Sequence, residues 1–391
     1  MGGFLDYNYI VNEKNGEKFC CTDFYVYPLT ADDYADVYRN YSIDKYPAMA
    51  FMYITNKCTD NCIGCFAKAI EDGNACLEKD VILRTIKDLA EHGTKALKLA
   101  GREPTASPYL SDCLNYCKEL GLKTLVISSG ANIDKHIDAL SESCTLLRLS
   151  LNTVSQELHE KIHRPTSEAL CFDDRIKYAQ EIIDRRRKNN LVTGATYLVR
   201  TSDDKIGYRY AKMCREMGFD FVRFTVLDEN KGNWSEEWVQ MFNTILTLQT
   251  KDFKIIVHNP IPKCEVTVSE PLLFDPALAS RVVIHANGKV SACQEGWRGK
   301  WCQKEMAIYG NINEADFNSI WTGEKRKDFL KHIQATHTAG MENHGCYASG
   351  NAVCSHNCKY NSFNIIQRWI INQLEKEPDS TFKPICKLEN W

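Results

Sequence analysis

Met49-Ala50-Phe51-Met52-Tyr53-Ile54-Thr55, followed by Asn56-Lys57-Cys58-Thr59-Asp60-Asn61-Cys62-Ile63-Gly64-Cys65, is an apolar run that ends in three cysteines spaced Cys-x3-Cys-x2-Cys. The run reads as a buried β-strand, and the cysteines fall in the loop that leaves it. Three thiolates can hold three corners of a cubane [4Fe–4S] cluster, whereas electron-transfer clusters ordinarily take four. One iron is then open to a substrate-like ligand, and an open position separates a reactive metal site from a closed structural one. A zinc knuckle is the competing account. Zinc sites usually pair two Cys or Cys/His hooks, however, and no partner hook lies nearby.

Working outward, residues 49 to about 226 alternate short apolar runs with amphipathic stretches, the pattern of repeated βα units and a parallel sheet. Strands are expected at Met49–Thr55, Ala96–Ala100, Thr124–Ser128, Leu146–Leu151, Ala195–Val199 and Phe221–Val226. Helices are expected at Asp80–His92, Pro108–Leu120, Asp134–Ser141, Asp173–Lys188 and Lys205–Met217. The fold class is therefore α/β, a partial (βα)6 TIM-like barrel, and such folds place their sites at the C-terminal strand ends. Residues 1–48 read as a lead-in packing on the barrel of residues 49–250. Residues 251–391, denser in Cys, Gly, His and Asn, read as a second, cysteine-rich module.

The loop Cys58-x3-Cys62-x2-Cys65 after a first strand resembles the signature of the radical S-adenosylmethionine (SAM) enzymes. What the resemblance implies is a [4Fe–4S] cluster held by these three cysteines, whose free iron binds SAM and cleaves it reductively to a 5′-deoxyadenosyl radical. That radical removes a hydrogen atom from the substrate. Ala100-Gly101-Arg102-Glu103-Pro104 is similar to the family's Gly-Gly-Glu-Pro segment, which assigns Gly101 and Glu103 to the SAM amino group, with Arg102 departing from the second glycine. Ser128-Ser129-Gly130 resembles the family's Thr-Asn-Gly turn, and Ser150-Leu151-Asn152 the segment facing the SAM ribose or carboxylate. His159, His163 and Arg164 are similar to a stretch whose arginine forks the SAM carboxylate, here one place later than expected. Ile63 holds the position that packs on adenine, and Phe66 is the aromatic alternative.

The late cysteines Cys264, Cys293, Cys302, Cys346, Cys354, Cys358 and Cys386 resemble those of the SPASM or twitch extensions of the same enzymes, which carry auxiliary Fe–S clusters. The resemblance implies one or two auxiliary [4Fe–4S] clusters. Ser349 stands where a cysteine is expected, and a zinc site of Cys346, Cys354, His356 and Cys358 is the alternative. Cys113, Cys117, Cys144, Cys171 and Cys214 sit singly in apolar patterns and read as core. Cys20 and Cys21 carry no reading.

The chain has 391 residues, 44% of them hydrophobic, a formal net charge of −3 and eighteen cysteines. It shows no apolar stretch of membrane-spanning length and no basic-then-apolar start, so a cytoplasmic protein is expected, with the thiols reduced and partly metal-bound. No nucleic-acid footprint is expected, and Arg185-Arg186-Arg187-Lys188 reads as a helix end.

The leading functional expectation is a radical SAM enzyme acting on a peptide by cross-linking, epimerisation or thioether formation. The alternative is dehydrogenation or epimerisation of a sugar, nucleoside or aminocyclitol, since residues 1–48 are short for a leader-binding domain. A non-catalytic Fe–S or zinc protein for electron transfer or interaction is the reading from another class. The expected partners are a peptide or small-molecule substrate and an electron donor such as flavodoxin or ferredoxin, with neither nucleic acid nor membrane. Tyr197, Arg200 and Thr225, near strand ends, are candidates to face substrate.

Overall fold

The computed structural model describes residues 10–12, 17–21, 26–27, 46–65, 67, 73–186, 190–200, 205–226, 236–258, 281–292 and 307–338. Near the N-terminus, β1 (Ile10–Asn12), β2 (Glu17–Cys21) and β3 (Val26–Tyr27) form a small antiparallel sheet. The main sheet holds β4 (Met49–Met52), β5 (Ala96–Leu99), β6 (Lys123–Ser128), β7 (Leu146–Leu149), β8 (Val192–Val199), β9 (Phe221–Val226), β10 (Lys254–His258), β11 (Arg281–Ile284), β12 (Lys289–Ser291) and β13 (Ile308–Asn311). Its order is β10-β9-β8-β7-β6-β5-β4-β11-β12-β13, an open sheet in which every pairing from β10 to β11 is parallel. The six expected strands form its continuous middle. One parallel strand is added at each side: β10 beside β9, and β11 beside β4.

Parallel neighbours need crossovers, and the sequence supplies amphipathic helices for them. These are α1 (Lys79–Glu91), α2 (Leu110–Glu119), α3 (Ile137–Ser143), α4 (Gln156–His163), α5 (Phe172–Arg185), α6 (Lys205–Met217) and α7 (Glu236–Leu246); α8 (Phe317–Trp321) and α9 (Glu324–Thr338) follow β13. Alternation in the strands sorts side chains to two faces. Met52, Leu99, Leu149, Ala195 and Phe224 join the helices in one large core, while Leu125, Leu146, Val192 and Phe221 form a separate cluster on the opposite, inward face. Gly194 is required there, because a Cβ at 194 would lie 2.0 Å from the Phe221 ring.

The same inward parity places Lys98, Arg148, Arg223 and Arg281 on β5, β7, β9 and β11, all buried. Lys98 Nζ lies 4.4 Å from the centre of the Phe51 ring, which Arg281 also approaches. No Asp or Glu occupies an inward position of these strands. Tyr197, expected near substrate, has the other parity and packs with Tyr210 and Phe224 in the helix-facing core. Thr225 does face inward, in register with Leu198 and His258. Cys113, Cys117, Cys144 and Cys214 are core as expected, whereas Cys171 is half-buried and donates to Asp174 Oδ2 at 3.1 Å. Arg185 closes α5 with ion pairs to Asp138 and Glu181, and Arg186 pairs with Asp220; Arg187 and Lys188 lie outside the described residues.

Candidate functional site

Strand β4 stops at Met52, short of the expected Thr55, because beyond Tyr53, which still bonds to β11, its continuation pairs with residues 75–77 instead. Tyr53 N–H donates to Ile284 O at 2.8 Å, Leu77 N–H donates to Ile54 O at 3.0 Å, and Thr55 bridges Cys76. The chain then enters the cysteine loop at the C-terminal end of the sheet. The loop is clamped to the end of α4: Asn61 N–H donates to His163 O and Ile63 N–H to Ile162 O, each at 2.9 Å, and Asp60 bridges Pro165.

Cys58, Cys62 and Cys65 are all half-buried on this loop. Burial, then the nearby Glu103 carboxylate, push the Cys58 thiol up to about 12. Burial and the Asp60 charge raise Cys62 to about 12 as well, with Cys65 and Cys58 close enough to add to the effect. The three sulfurs do not gather within 4.8 Å of one another; among the described residues only the ligand atoms of Asp60, Cys62 and His163 do so. A tetrahedral zinc at 2.3 Å from each thiolate needs sulfurs about 3.8 Å apart. The spread is wider than one zinc needs and leaves room for a multi-iron cluster.

Under the loop lies a group that the sequence reading did not single out. Asp60 is buried, and Arg175 from α5 forks its carboxylate at 2.6 and 2.8 Å. Burial alone would raise this carboxyl; the Arg175 fork and His163 beside it hold it well below the usual carboxylate range. Arg175 Nε also donates to Leu170 O at 2.9 Å, and Nη1 to Ser129 O at 3.1 Å. His163 Nε2 meets Leu151 O at 2.9 Å, so Nδ1 faces Cys62 Sγ at 3.4 Å. The His159 ring stacks on His163 at 4.6 Å, and burial lowers it to about 3, keeping it neutral at neutral pH. The signal for this group is the acid set between Cys58 and Cys62, whose charge calls for a cation once it is buried.

After β5, Gly101 takes φ +123°, and a Cβ there would meet the Tyr53 ring at 3.1 Å, so only glycine suits the turn. Arg102 reaches back to Gly73 O. The Glu103 side chain turns into the protein and accepts from Thr105, Ser128 and Ser129. Its neighbour Ser128 is thereby engaged, and also accepts from Gly130 N–H at 2.8 Å. Ser150 N–H donates to Ser128 O, and Asn152, at φ +57°, accepts from Leu198 N–H at 3.1 Å. Arg164 caps α4 in the left-handed conformation, φ +48°, with its side chain exposed. Ile63 is 48% exposed beside the cysteines. The loops after β4, β5, β6 and β7 thus bring these residues to one end of the sheet. Phe66, Cys264, Cys293, Cys302, Cys346, Cys354, Cys358 and Cys386 lie outside the described residues.

A parallel α/β sheet with three cluster-spaced thiols at its first-strand end defines a class of Fe–S scaffold that holds a small cofactor over the strand ends. Residues 52–207 match the radical SAM superfamily, and residues 276–359 match the SPASM family, an iron–sulfur cluster-binding domain. The chain carries a radical SAM domain followed by a SPASM domain, the make-up of a radical SAM enzyme. Its cofactors are SAM, the [4Fe–4S] cluster that binds it, and auxiliary Fe–S clusters. An S-adenosylmethionine-dependent nucleotide dehydratase of Flammeovirga pacifica is 27% identical over 142 residues, 35% of this chain and 48% of that protein. A probable GTP 3′,8-cyclase of Saccharolobus solfataricus is 27% identical over 296 residues, 72% of this chain and 89% of that one. The chain thus spans about half or less of the nucleotide dehydratases it matches, 48% and 37% in two cases. In fold it is similar to Streptococcus suis SuiB bound to SAM, with a TM-score of 0.56, 15% identity, and coverage of 72% of this chain and 66% of that one. Among the described residues no helix is long and apolar enough to cross a membrane.

Proposed function

We propose that this chain is a radical SAM enzyme that takes a hydrogen atom from an anionic, phosphate- or carboxylate-bearing small molecule held against the inward face of the sheet. Bound at Cys58, Cys62 and Cys65, the cluster with SAM supplies the hydrogen-atom abstraction. The protein's part is to bind, orient and exclude water. The loops after β5 and β7, through Gly101, Glu103, Ser150 and Asn152, frame the cofactor, with Ile63 as its apolar neighbour and Arg164 at the α4 terminus for the SAM carboxylate. In this reading the parallel sheet runs past the expected boundary at residue 250 to take in β10 and β11, and the later cysteines hold one or two auxiliary clusters fed by a small electron-transfer protein.

The observation that carries the substrate class is the gathering of four buried cationic side chains, Lys98, Arg148, Arg223 and Arg281, on the inward face of the sheet. The nucleotide chemistry named for the sequence relatives supports the same class. A peptide substrate is the second reading, favoured by the SPASM match and by the fold likeness to SuiB, one structure of which holds a precursor peptide. Anaerobic incubation of the reduced enzyme with nucleotides, sugar phosphates and peptides, following 5′-deoxyadenosine and product mass, separates the two. Turnover that rises only with peptides overturns the first.

A further inference from the structure

The polar contacts beneath the cysteine loop run without a break to the loop after β5. Cys62 Sγ lies 3.4 Å from His163 Nδ1, and that nitrogen 3.5 Å from Asp60 Oδ2. Asp60 is forked by Arg175, Arg175 donates to the Ser129 carbonyl, and Ser129 donates twice to Glu103, both at 2.7 Å. His163, Asp60, Arg175 and Glu103 are all buried. A single guanidinium therefore ties three separate connections: the cysteine loop through Asp60, the turn after β6 through Ser129, and the segment before α5 through Leu170.

Burying an ion pair costs desolvation that attraction only partly recovers, so such a pair is weak evidence for stability. A fork with each of its three nitrogens engaged does fix geometry, which is what a cofactor shared between two loops requires. We propose that the Asp60–Arg175 pair holds the cysteine loop in register with the Gly101–Pro104 loop, so that Asp60 and Arg175 are positioning residues for SAM bound across the two. His163 is the end of this tie, seated on Leu151 O and holding the Cys62 side chain in line. The inference rests on Cys58, Cys62 and Cys65 being the cluster ligands and on the Gly101 loop meeting SAM. The close approach of Asp60, Cys62 and His163 would also suit a single metal ion, but Arg175 places a fixed cation on both carboxylate oxygens, which opposes one.

The test is the double variant Asp60→Leu/Arg175→Met in the full chain, with Arg175→Lys beside it. Replacing both charges by apolar groups is often neutral for folding, and Arg175→Lys keeps the charge while losing the fork. The readout is SAM titrated into the reduced protein and followed by electron paramagnetic resonance, with iron and sulfide content measured on the same samples. The expected result is unchanged iron and sulfide, with the SAM Kd raised about 10- to 100-fold in the double variant and less in Arg175→Lys. Wild-type SAM affinity in a folded double variant, or in Arg175→Lys if the double variant does not fold, overturns the proposal. One equivalent of a lone metal bound by the wild type and lost in His163→Gln overturns it too. A wild-type spectrum indifferent to SAM overturns the ligand reading itself and this proposal with it.

Discussion

Ser129 gives Glu103 two hydrogen bonds at once, its backbone N–H and its hydroxyl both meeting Oε2 at 2.7 Å. On the other oxygen, Glu103 Oε1 accepts from Thr105 N–H, Thr105 Oγ1 and Ser128 Oγ at 3.0, 2.7 and 2.6 Å. Every partner donates, so the residue must be acceptor-only. In Glu103→Gln one amide N–H2 faces donors and leaves them unpaired. The expected loss is about 2–3 kcal/mol, read from urea denaturation of the metal-free variant. An unchanged midpoint would show that the turn after β6 does not depend on this carboxylate.

Gly194 and Phe221 make a second exclusive pair, since a methyl at 194 would overlap the ring. Gly194→Ala is expected to cost about 1–3 kcal/mol by overpacking. Adding Phe221→Leu to Gly194→Ala should recover part of that loss in thermal denaturation, which a purely backbone effect at 194 would not allow.

The middle of the sheet was legible because each of its strands is a short apolar run ending in a turn signal, with Ala96–Leu99 and Phe221–Val226 the plainest. The edges were not. Lys254–His258 and Arg281–Ile284 are short and open on a charged side chain, so neither periodicity nor length marks them, although Arg281 is buried. Gln156–His163 reads in sequence as part of a cofactor loop, yet it forms a helix that Ser155 caps by accepting from Leu158 N–H. The cysteine loop could be read from spacing alone. Its support could not, since Asp60 and Arg175 are 115 residues apart and only the fold brings them together.

Alkaline pH should destabilise the metal-free protein through its thiols. Cys58, Cys62, Cys113 and Cys144 are each pushed by burial from an ordinary 9.0 up to about 12. A raised thiol value means that the unfolded chain releases its protons first, so stability is fully present below about 9 and falls as pH climbs towards about 12. Denaturation midpoints are expected to be flat from about pH 7 to 8.5 and to drop above that. A flat profile to pH 11 would contradict the buried placement of Cys113 and Cys144 and the half-buried placement of Cys58 and Cys62.

The same raised values set the cost of loading iron at the cysteine loop, because ligation must displace the protons of Cys58 and Cys62. Cys62→Ala removes one of the three thiolates while the remainder of the fold keeps its core. The expected variant loses the iron of one cluster, retains that of the C-terminal module, and forms no 5′-deoxyadenosine above background. Retained SAM turnover would place the reactive cluster elsewhere in the chain.

The substrate class is most directly tested on the inward face. Arg148 stands beside Gly194 in the register of β7 and β8, and Arg223 beside Thr196 on the next pair, so the two cations share the inward face two strands apart. If a phosphate or carboxylate is held there, Arg148→Gln removes a charge-assisted contact of about 1.5–3 kcal/mol, equivalent to a rise in KM of about 10- to 150-fold. Cleavage of SAM without substrate should be unaffected, because Arg148 lies in the body of the strand while the cofactor loops begin beyond Leu149. A variant that loses substrate-free SAM cleavage and substrate affinity together would mean that Arg148 serves the fold or the cofactor. A KM effect confined to phosphorylated substrates, with kcat preserved, is the signature that only recognition of the anion produces.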